Sequence, residues 1–184
     1  MSELELINSI RNHPNQFGDL VKQYQSLVFR TAIGFVHQKE TAEDITQNVF
    51  IKVFRNISSF KGDSSLATWL YRITINECIS NLRKERFKSK LNSLSDFFTK
   101  DTTPSTNHPE TPLEVLEKDN LSNAIKNAVD SLAENQRIAF VLSKYDELSQ
   151  KEIAKIMVIN EGAVESLLQR AKKNLQKKLF QYQP

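Results

Sequence analysis

The sequence predicts an all-α chain of two small helical domains joined by a flexible linker, the C-terminal domain carrying a helix-turn-helix. Three observations lead there. Apolar residues recur at three- and four-residue steps through most of the 184 residues, the period of a helix with one buried face. Glycine occurs only at Gly18, Gly34, Gly62 and Gly162, too sparsely for a turn-rich β fold. Composition breaks at "LNSLSDFFTKDTTPSTNHPETP", residues 91–112, which holds three of the five prolines and no sustained period. Such a stretch reads as a linker, so the expected divisions are 1–90, 91–112 and 113–184. Adjacent Phe97 and Phe98 suggest a docking point or a short helix inside it.

The elements follow in order. Phe17, Leu20, Val21, Tyr24, Leu27, Val28, Thr31 and Phe35 lie on one face of a first helix. In "TAEDITQNVFIKVFRNI", Thr41 is placed to cap a second helix, with Asp44 three residues on. Ile45, Val49, Val53 and Ile57 then form a single apolar stripe. After Phe60, "KGDSS" is a turn signal, and a third helix should run from near Leu66 to about Lys88. Past the linker a helix is expected from Leu113 to about Val129, then another announced by Ser131 and Glu134 ahead of Ile138, Val141 and Leu142. Ser149 and Glu152 form a further capping box for a short helix, Gln150 to about Met157, with Ile153, Ala154 and Met157 inward. Asn160 caps the last helix, Glu161 to about Phe180, which packs through Val164, Leu167, Leu168, Ala171 and Leu175.

Charge is uneven. Residues 1–90 hold 13 Lys/Arg against 9 Asp/Glu, residues 91–120 hold 2 against 6, and residues 121–184 hold 10 against 7, within a total of +3. Two basic blocks flanking an acidic one suit a polyanion partner; solvated helix faces are the plainer explanation. Enzyme chemistry finds little support. His13, His37 and His108 are scattered, Cys78 has no partner motif, and no glycine loop is suited to cradle a phosphate. Glu43 and Asp44, neighbours on a helix, point apart. No catalytic residue, cofactor or metal is therefore expected. The single cysteine fits a reducing cytoplasm, the acidic amphipathic start "MSELELINSIRNH" is unlike a secretory signal, and no apolar run approaches the roughly 20 residues of a membrane span.

A short helix, a tight turn and a longer helix ending in Arg170, Lys172 and Lys173 make a helix-turn-helix, in which the first helix braces on the DNA backbone and the second enters the major groove. Outward-facing Glu161, Glu165, Ser166, Gln169, Arg170 and Lys173 offer groups for base edges and phosphates. Small Ala154, Ala163 and Val164 favour this over an ordinary helical hairpin with a solvated basic face.

With those segments in view, the chain resembles the extracytoplasmic-function (ECF) sigma factors of the sigma-70 superfamily, from about Phe17 to Leu179. "AEDITQNVFIKVFR" resembles the family's polymerase-binding helix, with its Asp-x-x-Gln-x-x-Phe pattern at Asp44, Gln47 and Phe50. The resemblance implies that these, with Asn48, Ile51 and Arg55, dock the clamp helices of the largest subunit of core RNA polymerase. "FKGDSSLATWLYRITINECISNLRK" resembles the segment that recognises and opens the minus-10 element. A loop of Phe60, Lys61, Asp63, Ser64 and Ser65 could pocket an unstacked base, Trp69 could stack on one, Asn76 could meet a base edge, and Arg72, Arg83, Lys84 and Arg86 could hold phosphates. Leu70 stands where housekeeping members carry a second aromatic, which implies one stacking wedge fewer. The closing helices resemble the minus-35 reader and imply a set of Glu161, Ala163, Glu165, Ser166, Gln169, Arg170, Lys172 and Lys173. Glu165 and Leu167 depart from the basic residues common there, so base preference is expected to differ.

The resemblance also implies contact with the polymerase flap, an anti-sigma partner, and a linker threading the polymerase cleft, where Asp96, Asp101, Glu110 and Glu114 would mimic nucleic acid. The function expected is that of a dissociable sigma factor in the cytoplasm, bound to core polymerase and promoter DNA without membrane insertion. The rival reading is a helix-turn-helix repressor or activator with an α-helical sensor domain, binding duplex DNA without polymerase.

Overall fold

The structure, a computed structural model, describes residues 3–98 and 113–180. Among these are eight α-helices and no strand: α1 Glu3–Asn12, α2 Phe17–Val36, α3 Lys39–Asn56, α4 Leu66–Phe98, α5 Leu113–Asp130, α6 Glu134–Lys144, α7 Gln150–Met157 and α8 Glu161–Leu179. Helices α2, α3 and α4 pack on one another, and α5, α6 and α7 pack around α8.

The expected apolar stripes are the ones buried. Leu20, Val28 and Phe35 of α2 meet Ile45, Val49 and Val53 of α3, all at most 1% exposed. Helix α2 ends where His37 adopts a left-handed conformation (φ 56°) and its amide returns to the Ile33 carbonyl, which reverses the chain into α3. Because α3 starts at Lys39, Thr41 lies inside the first turn and does not cap it; its hydroxyl donates to Gln38 Oε1 at 3.2 Å. Ser131 likewise closes α5, donating to the Ala128 carbonyl at 2.7 Å, while α6, beginning at Glu134, has Ala133 as its N-cap and no side-chain cap. The third helix is expected to end near Lys88. It continues to Phe98, so residues 91–98, expected in the linker, are helical here. Residues 99–112, with Asp101 and Glu110 of the expected acidic mimic, lie outside the described residues, as do the side chains of Asp96 and Glu114.

The two helical groups share one core. A single apolar cluster runs from Leu20, Phe35 and Leu70 through Ile138, Val141 and Leu142 to Ile153 and Val164. At the seam α2 packs on α6, and α4 packs on α7. The approach of α2 needs Gly34, since a Cβ there would stand 2.8 Å from Val141 Cγ1 and 2.9 Å from Tyr145 Cγ. No helix among the described residues is long and apolar enough to cross a membrane.

Candidate nucleic-acid interface

Helix α3 presents a continuous outward stripe. Asp44, Gln47, Asn48, Ile51 and Arg55 are all exposed, opposite the buried Ala42, Ile45, Val49 and Val53. Phe50, grouped with them by the motif, is only 7% exposed and meets Phe17 edge-on at 6.4 Å. It supports the stripe from beneath. The exposed aromatic is Phe54, 46% exposed, packed on Phe17 at 5.0 Å and beside Ile51 at 48%. Phe54 is not among the expected residues, although it lies three residues from Ile51 and seven from Gln47 on the same face.

The loop before α4 is built from both sides. Gly62 takes φ 80° and turns the chain. Ser65 caps α4, its hydroxyl accepting from the Thr68 amide at 3.2 Å. Helix α1, absent from the sequence-based site, braces this loop at both ends. Arg11 Nη2 donates to the carbonyls of Phe60 at 2.7 Å and Ser58 at 3.2 Å, and Glu3 Oε2 accepts from the Leu66 amide at 2.8 Å. An anion at that helix N-terminus meets the positive end of its dipole. Phe60 is buried and tilted against half-buried Trp69, ring centroids 5.3 Å apart, so Trp69 keeps one part in the core and one in solvent. Leu70 is wholly buried. A leucine side chain there is turned into the core and offers no stacking surface. Lys61, Asp63, Asn76, Lys84 and Arg86 are exposed, and Ser64 partly so.

Three of the four basic groups expected to hold minus-10 phosphates are hydrogen-bonded to the C-terminal helices. Arg72 donates to the Lys155 carbonyl at 2.7 Å and the Ile156 carbonyl at 3.1 Å, closing the C-terminal end of α7. Arg83 donates to both carboxylate oxygens of Glu134, at 3.0 and 2.9 Å, and Arg86 to the Asp130 carbonyl at 3.1 Å. Further along the seam, Asp146 accepts from Arg30 Nε and the Thr31 hydroxyl, both at 2.9 Å. Burial pushes the Asp146 carboxyl above its ordinary value against those bonds, and its bond with Arg30 raises the guanidinium. Arg137, 2% exposed, donates to the Phe35 carbonyl and to Asp130. Tyr71, behind this cluster, is pushed up to about 12 by burial.

The helix-turn-helix matches its local signals. Ser149 and Glu152 make a reciprocal capping box, and the Ser149 hydroxyl and amide hold the Glu152 carboxyl below its ordinary value. Asn160 accepts from the Ala163 amide at 2.8 Å. Val158 turns the chain in a left-handed conformation (φ 57°) with its side chain 75% exposed. On α8, Val164 and Ala171 are buried, while Glu161, Glu165, Ser166, Gln169, Arg170, Lys172 and Lys173 are exposed and Ala163 is half-buried. Gln169 donates to Glu165 at 3.2 Å, so two potential base-edge groups orient each other.

Comparison with known proteins agrees with this layout. Residues 20–88 match the sigma-70 region 2 family model, and residues 122–175 match the sigma-70 region 4 model. The chain is 31% identical over 173 residues to the RNA polymerase sigma-H factor of Pseudomonas aeruginosa, covering 92% of this chain and 89% of that one. It is 32% identical over 176 residues to the ECF RNA polymerase sigma factor SigW of Bacillus subtilis, covering 89% and 88%. The sigma factor RpoE of Bartonella quintana, solved with the anti-sigma factor NepR, aligns with a TM-score of 0.60 at 25% identity, over 89% of this chain and 96% of that one. CnrH, solved with the cytosolic domain of CnrY, shares the fold with a TM-score of 0.65 at 21% identity, over 96% of each chain.

Region 2 followed by a helix-turn-helix region 4 defines a transcription-initiation factor of the sigma-70 type. Within that type the chain belongs to the ECF family, and it is an alternative sigma factor that directs transcription initiation.

Proposed function

We propose that the chain divides promoter recognition between three surfaces. The outward stripe of α3 binds core polymerase through Asp44, Gln47, Asn48, Ile51 and Arg55, joined by Phe54. One observation carries this: an exposed polar row with two apolar spots on a helix whose other face is core is a surface fitted to another helix, here the clamp helices of the largest subunit. The residues from Phe60 to Asn76, with Arg83, Lys84 and Arg86, take the minus-10 strand, and Glu161 to Lys173 read minus-35 duplex. Domain divisions at 1–90, 91–112 and 113–184 go with this reading, as does contact of the second domain with the polymerase flap. Nucleotidyl transfer belongs to the polymerase, and the chain acts with it in the cytoplasm. An anti-sigma partner is part of the proposal, supported by the similar sigma factor solved with NepR.

The test is in vitro transcription with core polymerase over a bank of promoters. Polymerase-dependent initiation on promoters without dyad symmetry is expected; occupancy of a palindrome by the chain alone would favour the repressor reading instead.

A further inference from the structure

We propose that α1 sets base selectivity at the minus-10 element: Arg11 and Glu3 are positioning residues that hold the Phe60–Ser65 loop in the shape an unstacked base requires. This rests on the assignment of that loop to the minus-10 strand above. Both residues precede the stretch that matches region 2, which begins at residue 20. The loop has little of its own to hold it. After α3 the chain makes one short helical turn, Ile57–Ser59, then runs from Phe60 to Ser65 with Gly62 at φ 80°. A short irregular segment keeps one conformation only where other groups offset the entropy of ordering it.

Helix α1 supplies those groups at both ends. Carbonyls at the end of a helical turn have no donor within it. Arg11 Nη2 donates to three of them, Phe60 at 2.7 Å, Ser58 at 3.2 Å and Ile57 at 3.4 Å. Its Nη1 donates to Asn8 Oδ1 at 3.2 Å, so both ends of the guanidinium are engaged inside the protein and Arg11 acts through the loop, not on a phosphate. Glu3 Oε2 accepts from the Leu66 amide at 2.8 Å, and Oε1 accepts from the Tyr24 hydroxyl at 3.4 Å. The two anchors stand about 12 Å apart along one helix. That helix is seated by Leu6, Ile7 and Ile10, at 5%, 0% and 2% exposure. The start and end of the loop are therefore fixed to the same rigid body.

Extruding a base costs its stacking and pairing. A pocket already formed returns more of that cost than one that must order itself on binding. It also discriminates, because a loop that yields would fit its polar groups to any base, whereas a held one suits few. Phe60 joins the brace to the stacking surface: its carbonyl takes the shortest Arg11 bond, and its ring lies 5.3 Å from that of Trp69. Removing Arg11 frees the start of the loop and the support of Trp69 together.

The experiment makes holoenzyme with the full chain and with Arg11→Ala, Glu3→Ala and Glu3→Gln, and transcribes a promoter found in the bank above with its minus-10 element randomised one position at a time. The readout is the ratio of initiation on the preferred base to initiation on the others at each position. A factor that is merely less stable loses every template alike and leaves that ratio unmoved. For Arg11→Ala the ratio should fall about tenfold at the extruded base and hold elsewhere, with core-polymerase affinity and the minus-35 footprint unchanged. Glu3→Ala should lower it less, and Glu3→Gln should restore it, because the amide oxygen still accepts from Leu66. An unchanged ratio in Arg11→Ala, or an equal fall at every position, overturns the proposal. If circular dichroism shows that Arg11→Ala loses helix content, the Glu3 pair decides: a fall in Glu3→Ala that Glu3→Gln restores supports the brace, and two variants that behave alike overturn it. A parent chain with no base preference anywhere in the minus-10 element would sink the assignment of the loop, whereas a parental preference that survives Arg11→Ala judges the brace alone.

Discussion

The two surfaces proposed to face DNA in this sigma factor are presented in different ways. On α8 the groups for duplex point outward, with Ser166, Gln169, Arg170 and Lys173 all exposed. On α4, of the groups proposed for the separated strand, Arg72, Arg83 and Arg86 are hydrogen-bonded to α7, α6 and α5, while Asn76 and Lys84 stay exposed. Basic residues on a helix thus carry no fixed meaning. A guanidinium suited to a phosphate is here a helix clasp, because the neighbouring half of the chain supplies its oxygens.

The sharpest way to break this contrast is at Arg137, which ties Phe35 of α2 to Asp130 of α5 from a buried position. Arg137→Ala leaves the Phe35 carbonyl without that donor and should lower stability by about 3 kcal/mol, measured by urea denaturation, with the seam opening first in hydrogen exchange. Next comes the outward stripe of α3. Asp44→Ala combined with Gln47→Ala should weaken core-polymerase binding by about 2 kcal/mol, roughly thirtyfold, while the melting temperature stays put because both side chains are exposed.

A smaller effect is expected on α8. Arg170→Ala should reduce the salt dependence of holoenzyme–promoter binding by about one unit of slope; an unchanged slope would remove Arg170 from the phosphate contacts. Smallest is Val158→Gly. A β-branched residue in the left-handed region is strained, and relief should raise the melting temperature by the equivalent of about 0.5–1 kcal/mol. Cys78 provides a reporter for the seam. Burial pushes its thiol up to about 12, so a thiol probe at pH 8 should label the native chain slowly and label Arg137→Ala faster.

What could be read from the sequence follows the range of the interactions. The capping box Ser149–Glu152, the Asn160 cap and the stripe Ile45–Val49–Val53 involve partners three or four residues apart, and all three stand as expected. Thr41 and Ser131 had the right chemistry for caps, but tertiary packing set the helix starts one turn away or less. Phe50 was assigned by motif position, and its burial depends on where α3 lies against Phe17 of α2. The partners of Arg72 and Arg83 are 83, 84 and 51 residues distant, and no local pattern announces them. The brace from Arg11 and Glu3 was missed for the same reason: it joins residues 49 and 63 apart in the sequence.

The measurement that bears most directly on the division of labour is permanganate reactivity of minus-10 thymines in holoenzyme on a responsive promoter, using a chain with Arg72→Ala, Arg83→Ala and Arg86→Ala. The account predicts that the minus-35 footprint persists while the minus-10 strand stays paired and unreactive. A minus-10 element that opens as fully as with the parent chain would contradict it.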